Sequence, residues 1–533
     1  MATQIRDTAF GQLVRRLSNN RWLRYPDEVD PTLWEKHLRD REFTRDEKPN
    51  GTDASSPRPE RSIAGDVTRS VEDGQDVFLV DWYGPDDPEN PTNWPEAWKF
   101  LVAAQVCVLN FVVYIASSLY VPGETGFELE FGAGPTAAIL GLSLFSVGYG
   151  LGPMLWSPMS EMPQLGRSGI YVWTLLGFVL LQLPTGLAVD AAMFLAFRAV
   201  SGFVGSPALA TGGATITDVY GPARAAFGIC IWASFGVCGP VFGPLIGGFV
   251  APAKGWRWTI WIYTWMCAMC LILLFFLLPE TSSATILYRR AKRLRRGTDR
   301  QCPPYDKDHL LVLSRAFTLT FTEPIVLVVD LYSALLYGVL FTWFESFPLV
   351  FGDIYRFEPE MQGLVYLGLL VTLMIVVPLY LLWVQRVLVP ASSKPGFIPE
   401  HVLPPTWAGA VALPVCLFWY GWTARESIHW IVPIIGSSLF TIPLVTFFNG
   451  ILNYLGMSYS AYAASVFAGN ALFRALFGAI FPLFARSLFT NLGVGPGNSL
   501  LGGIAVLFLP INFILYFYGP RIRAMSRHAR HDE

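Results

Sequence analysis

Residues 236–249 read GVCGPVFGPLIGGF. Every residue is apolar or small, so the segment suits hydrocarbon. Gly236, Gly239, Gly243 and Gly247, with Gly248 beside the last, recur at helical spacing. Small residues about one turn apart make a flat stripe on a helix, and in lipid such stripes let two backbones approach closely. Pro240 and Pro244 each remove a backbone hydrogen bond and bend the helix, which is tolerated where neighbours or a cavity cover the freed carbonyl. The stretch therefore reads as a kinked, packed membrane helix. Close packing accounts for the glycines about as well as a cavity-lining role does.

The rest of the chain agrees with a membrane setting. Of 533 residues 53% are hydrophobic and only 15% charged, with a mean hydropathy of +0.42. Soluble chains carry charge on roughly a quarter of their residues, so the composition is that of a polytopic membrane protein. The net charge of -2 hides a segregation into the N-terminal segment, one central loop and the C-terminal tail, and implies no nucleic-acid partner. Cys107, Cys230, Cys238, Cys267, Cys270 and Cys416 fall in apolar stretches and Cys302 in a loop, a spacing that fits neither a disulfide framework nor a metal site.

Twelve apolar runs approach the ~20 residues that cross ~30 Å of hydrocarbon. They lie near 98–121, 135–158, 168–187, 190–214, 225–251 and 257–278, then 325–351, 360–385, 404–423, 428–454, 459–487 and 497–519. The expected fold is an all-α polytopic membrane protein of two six-helix bundles, 96–279 and 324–520, joined by a basic loop, 280–323, that contains YRRAKRLRR. Residues 1–95 are polar and are expected to form a largely disordered arm ending in the turn-rich DWYGPDDPENPTNW; residues 521–533 form a tail. Within the arm, FGQLVRRLSNNRWLRYP would make a short basic amphipathic helix, solvated rather than membrane-bound. Lys and Arg concentrate in the loops shared with both termini, which places the termini in the cytoplasm. On that side the Asn50-Gly51-Thr52 acceptor stays unglycosylated.

Polar groups inside spans are expensive and mark function or interhelical pairing. Arg198 in the fourth span needs a partner or a watery cavity. Glu345 in the seventh lies among Phe341, Trp343, Phe344 and Phe347, where its charged form is disfavoured; proton carriage, substrate binding and a pair with Arg474 all suit it. Asp330 falls nearer the cytoplasmic end, where solvation is expected. Asn110 and Tyr114, Asn449 and Asn453, and Asn470 and Arg474 are each four residues apart and so share helix faces, as ligand-orienting groups of an apolar pocket would. Between the second and third spans, Glu161 and the Gly166-Arg167 turn form an expected latch on the cytoplasmic side. No GxxxxGK[ST], GxSxG or HExxH occurs, which leaves neither an ATP motor nor a hydrolase and argues against an enzyme.

Several of these segments resemble one family. The GPxxGPxxGG run of the fifth span, RxxxGxxG from Arg198, and GPDDPENPTNW are similar to motifs of the fungal twelve-span drug/proton antiporters of the major facilitator superfamily. GWRWTIWI (255–262), PETSSATILYRRAKRLR (279–295) and the eleventh-span block ending in FPLF extend the likeness to residues 80–525. The resemblance is nearest the branch that confers resistance to fluconazole, benomyl and methotrexate. PMSEMPQLGR resembles the superfamily's loop motif, with glutamate in place of aspartate and a longer gap before Gly166. The likeness implies alternating access and plasma-membrane export of amphiphilic compounds, azoles among them, by a monomer exchanging them for protons, with the proton gradient and no cofactor or metal as energy source. It also implies coupling through Arg198, with Glu345 and Asp330 the carboxylates available to carry protons. A facilitator or importer of a physiological solute, and a non-transporting sensor that signals through the arm, are the rival readings.

Overall fold

The computed structural model describes residues 5–30, 80–298, 317–392, 394, 396–459, 463–526 and 529. The Asn50 acceptor, Cys302 and residues 527, 528 and 530–533 of the tail lie outside them. Among the described residues the secondary structure is helical, apart from one isolated bridge between Thr8 and Pro279.

α1 (Ala9–Leu17) belongs to the arm. The first bundle comprises α2 (Glu96–Ser118), α3 (Pro135–Ser160), α4 (Arg167–Gly186), α5 (Ala191–Gly205), α6 (Pro207–Lys254) and α7 (Arg257–Leu277). α6 holds the end of the fourth crossing and all of the fifth, bent where Gly221 adopts φ 70°. α8 (Ser283–Thr298) connects the bundles. The second bundle comprises α9 (Pro324–Phe347), α10 (Leu367–Trp383), α11 (Pro404–Thr423), α12 (Thr441–Ser458), α13 (Ala463–Leu492) and α14 (Val494–Ala524). Prolines open α3, α6, α9 and α11, where the missing N–H has no intrahelical partner to lose. Eleven crossings among the described residues are long and apolar enough to span a bilayer. The twelfth expected run is α11, a 20-residue helix whose three prolines and three tryptophans dilute its apolarity; it packs between α12 and α14. An even number of crossings puts both chain ends on one face, here termed the terminal face.

The fifth-span stripe is a packing surface. A Cβ at Gly239 would stand 3.0 Å from the Ile115 nitrogen, at Gly243 2.8 Å from the Leu119 nitrogen, and at Gly247 2.6 Å from the Leu119 oxygen, so α6 lies backbone to backbone on α2. Gly248 points the other way, 2.8 Å from the Pro359 oxygen of the second bundle. Contact between bundles continues along α3 and α13. There Ser143 Oγ donates to the Ala479 carbonyl at 2.7 Å, and Gly150 abuts Ala475.

The arm departs from the expectation of disorder. Residues 5–30 and 80–95 are folded against α8, the helical segment 283–298 of the basic loop expected there. Arg290, fully buried, bonds Asp87 at 2.8 Å and Glu89 at 3.0 Å. Arg293 bonds Asp27 at 3.0 Å and Glu89 at 3.1 Å, and Arg15 bonds Glu28 at 2.6 Å. Burial alone would raise the Asp87 carboxyl, but the hydrogen bond and charge of Arg290 together with the Tyr83 and Glu89 backbone N–H groups outweigh it and hold Asp87 below the usual carboxylate range. α1 is not merely solvated, since Phe10 packs on Phe276 with ring centroids 4.9 Å apart. No local periodicity announces this module, because its ion pairs to α8 join residues more than 200 positions apart.

Candidate functional site

One face of α9 organises the site. Asp330, Tyr337, Phe341 and Glu345 stand at i, i+7, i+11 and i+15, close to whole turns, so they line a single stripe along the helix. Asp330 and Glu345 are therefore about 22 Å apart along the axis. Tyr337 is roughly midway.

At that midpoint the bundles meet through aromatic rings. Tyr114 of α2 stacks on Tyr149 of α3 at 5.2 Å and faces Tyr337 at 6.5 Å. The Arg474 guanidinium of α13 lies 4.7 Å from the Tyr337 ring and 4.4 Å from that of Phe448 on α12. A cation over aromatic faces is held by the ring quadrupoles. Arg474 Nη1 nevertheless has no hydrogen-bond partner, and neither has the Tyr149 hydroxyl.

Around this centre the amides are half satisfied. Asn110 Nδ2 donates to the Trp232 carbonyl at 3.1 Å while its Oδ1 is unpartnered; Gly236 gives that side chain its room. Asn449 Nδ2 donates to Val445 O at 2.9 Å, Asn453 Nδ2 to Asn449 O at 2.8 Å, and Asn449 Oδ1 has no partner. Asn470 Nδ2 donates to Asp330 Oδ1 at 2.8 Å, and Asn470 Oδ1 and Asp330 Oδ2 are unpartnered. Buried polar atoms are nearly always paired, so a set of open acceptors with the open Arg474 and Tyr149 donors among aromatics has the make-up of a ligand site.

Some expectations change. Asp330 is buried and held by Asn470 rather than solvated. Glu345 does not pair with Arg474. It is 7% exposed with Oε1 unpartnered, and its charge bears on Glu124, whose own Oε1 is also buried without a partner. Glu124 belongs to a short helix of the first bundle (Glu124–Phe131), and Arg486 is the cation that acts on both carboxyls. Phe341 and Phe344 remain near the stripe, with rings 5.2 Å apart and Phe341 against Gly478. Trp343 turns away into the second bundle, 4.9 Å from Phe440 and 5.4 Å from Tyr420, because a residue two positions from Glu345 lies on the opposite side of the helix.

Arg198 is 0% exposed and touches no carboxylate among the described residues. It donates to the carbonyls of Gly141 and Ala116, each at 2.9 Å, and its guanidinium lies 4.5 Å from the Phe145 ring, so it joins α2, α3 and α5. At the terminal face Arg167 pairs with Asp218 at 2.6 Å, and Glu161 caps α3. Gly166 takes φ 74° with the Glu280 carboxylate where a Cβ would be, and Glu280 accepts from the Arg167 N–H at 3.0 Å and from Ser168 Oγ at 3.0 Å. The latch expected at Glu161 thus draws on two acids that the local motif does not contain. Sequence reading also missed Tyr149, Tyr337, Phe448 and Glu124. Only the i, i+7 relation of Asp330 to Tyr337 pointed to any of them.

The Major Facilitator Superfamily sequence pattern matches residues 106–482. The chain belongs to the Major Facilitator Superfamily. Its fold is accordingly the superfamily's, and the superfamily is one of transporters rather than enzymes. The chain is 38% identical over 510 residues to Fluconazole resistance protein 1 of Saccharomyces cerevisiae, covering 90% of this chain and 93% of that protein. It is 37% identical to the Cycloheximide resistance protein of Candida maltosa, covering 99% and 100%. It is 40% identical to Transporter mfs1 of Schizosaccharomyces pombe, covering 88% and 92%. Among solved structures, the xylose transporter XylE from E. coli in a partially occluded inward-open conformation superposes with a TM-score of 0.56 at 15% identity, covering 79% of this chain and all of that one. The likeness to XylE is one of fold.

Proposed function

We propose that this superfamily member is a drug/proton antiporter that exports amphiphilic compounds, azoles among them. It works as a single copy in the plasma membrane with both termini in the cytoplasm, and the proton gradient alone supplies the energy. The reading rests above all on the α9 stripe, where two buried carboxyls bracket an aromatic centre that carries a cation and open acceptors. The names of the relatives at 37% and 38% identity, which concern resistance to cycloheximide and fluconazole, support drugs as cargo.

In this mechanism an amphiphile lies against Tyr114, Tyr149, Tyr337 and Phe448, whose π-faces accept many flat molecules, while Asn110, Asn449 and Arg474 orient its polar groups. Glu345 takes a proton from the outer side. Glu345 and Glu124 belong to different bundles, and two like charges oppose their approach, so protonation there favours closing the outer side around an emptied site. Asp330, held by Asn470 toward the terminal face, is the carboxyl from which the proton leaves inward. One charge crossing ~100 mV supplies ~2.3 kcal/mol, before any pH difference is added.

The test is efflux of a fluorescent amphiphile from cells lacking their own exporters, with and without a protonophore, for the native chain and Glu345→Gln. Native efflux that collapses with the gradient, and a variant that binds the compound without pumping it, are the expected results. Efflux indifferent to the protonophore would make the chain a facilitator.

A further inference from the structure

A cavity of about 1070 Å³ lies away from the central site, on the outer flank of the first bundle at the terminal face. Its floor is apolar, built from Trp173 of α4 and Ile272 and Phe276 of α7, and its rim is basic, with Arg16 of α1 and Arg289 and Lys292 of α8. We propose that this groove binds an anionic phospholipid of the cytoplasmic leaflet, the headgroup on the rim and an acyl chain along the floor. The proposal uses the membrane orientation given above and is independent of the cargo.

The rim carries charge that no described residue neutralises. Arg15 and Arg293 also line the cavity, but they are bound to Glu28 and to Asp27 and Glu89. Arg16 and Lys292 make no ion pair with any described residue. Arg289 reaches Glu280 through Nη2 at 3.5 Å, while its Nη1 is buried with no partner. Asp7 is the one acid lining the cavity among its described residues.

The floor sets the class of anion. Trp173 is 72% exposed and is continuous with Ile272 and Phe276 on the side of the bundle that faces hydrocarbon. A soluble phosphate ester would gain nothing from that surface, whereas an acyl chain fits it. α1 bridges the two zones. Phe10 fixes it to the end of α7, and Leu13, which lines the cavity, and Leu17 follow at i+3 and i+7 on the same face, 45% and 78% exposed. A basic amphipathic helix with unburied leucines lies in the interfacial layer of a membrane, where the basic pockets of a cytoplasmic face receive anionic headgroups.

The full chain, purified in detergent, would be exchanged into vesicles of phosphatidylcholine alone or with phosphatidylserine, re-extracted mildly and weighed intact with its retained lipids. Phosphatidylserine should be retained in preference to phosphatidylcholine and should raise the melting temperature. Arg16→Gln with Lys292→Gln should weaken phosphatidylserine retention roughly thirtyfold, two surface charges removed. Arg386→Gln, an exposed arginine of the second bundle, should leave retention unchanged. Both variants should melt as the native chain does in phosphatidylcholine, which separates lost binding from lost folding. Equal retention of the two lipids would overturn the proposal. So would an undiminished preference in the double variant, or an equal loss with Arg386→Gln.

Discussion

Gly247→Ala and Gly248→Ala are adjacent changes of one methyl with different expected consequences. At 247 the new carbon would stand 2.6 Å from the Leu119 oxygen and 3.0 Å from Pro122, both within the first bundle. Ordinary contact begins near 3.4 Å, so α2 and α6 must separate by about 0.8 Å in a place that stays packed throughout the cycle. Overpacking of this kind costs about 1–3 kcal/mol and falls on the fold itself. At 248 the carbon would stand 2.8 Å from the Pro359 oxygen, about 0.6 Å too close, but across the seam between bundles. That seam opens when the outer side opens, so a similar cost falls only on the closed state. About 1–3 kcal/mol then shifts the conformational equilibrium five- to 150-fold toward outward opening. The assay pairs melting of the purified chain with labelling of Gly363→Cys by an impermeant maleimide, because Gly363 faces Pro244 and Leu245 across the same seam; a Cβ there stands 3.0 Å from the Pro244 oxygen, so each variant is compared with Gly363→Cys alone. Gly247→Ala should lower the melting temperature with labelling unchanged; Gly248→Ala should melt nearly as the native chain and label faster from outside. Identical behaviour of the two variants in both assays would refute this division of the stripe into an inner and a seam face.

The remaining predictions concern charge. Asp330→Asn keeps an acceptor for Asn470 but removes the proton site, so uphill efflux should fall at least about tenfold while binding of a fluorescent amphiphile, followed by anisotropy, is retained. Arg198→Met deprives the Gly141 and Ala116 carbonyls of their donor; at about 1.5–3 kcal/mol for each charged hydrogen bond the melting temperature should fall, with Arg198→Lys recovering part of the loss. In the arm, the carboxyls of Asp87 and Glu28 would be raised by burial, yet Arg290 and Arg15 hold them below their ordinary values. The stability they confer is therefore present above the unfolded carboxylate range of about 4 and is lost as pH falls through their folded values. Protection of the amides of residues 9–17, taken relative to their intrinsic exchange rate at each pH, should thus be high from pH 5 to 8 and fall only under stronger acid. Arg290→Met, which strips Asp87 of its guanidinium and leaves Glu89 with one guanidinium fewer, should make those amides exchange fast at neutral pH.

The spans were legible because hydrocarbon selects length and apolarity directly, and the fifth-span stripe because small residues repeat at the helical period. Legibility declined wherever the partner is remote in sequence. Asn470 and Arg474 were singled out, but the Asp330 partner of the first lies 140 residues away, and the rings beneath the second come from two other helices. Glu345 drew attention for its aromatic neighbours in sequence, yet alternate residues of a helix face opposite ways, and Trp343 belongs to another part of the core. The described parts of the arm, 5–30 and 80–95, escape local reading for a related reason. Its composition is that of a disordered segment, and its order comes from arginines contributed by α8.

That dependence has a temporal side. Asp87 and Arg290 are separated by 203 residues, and Asp27 and Arg293 by 266. At about 5–20 residues per second of synthesis, the arm is exposed for roughly 10–50 s before its arginines leave the ribosome. All six helices of the first bundle are made in that interval. Closure of the arm onto α8 is thus a late event that marks the first bundle as complete, and a chain stalled before α8 would present the acidic arm open to whatever inspects nascent membrane proteins.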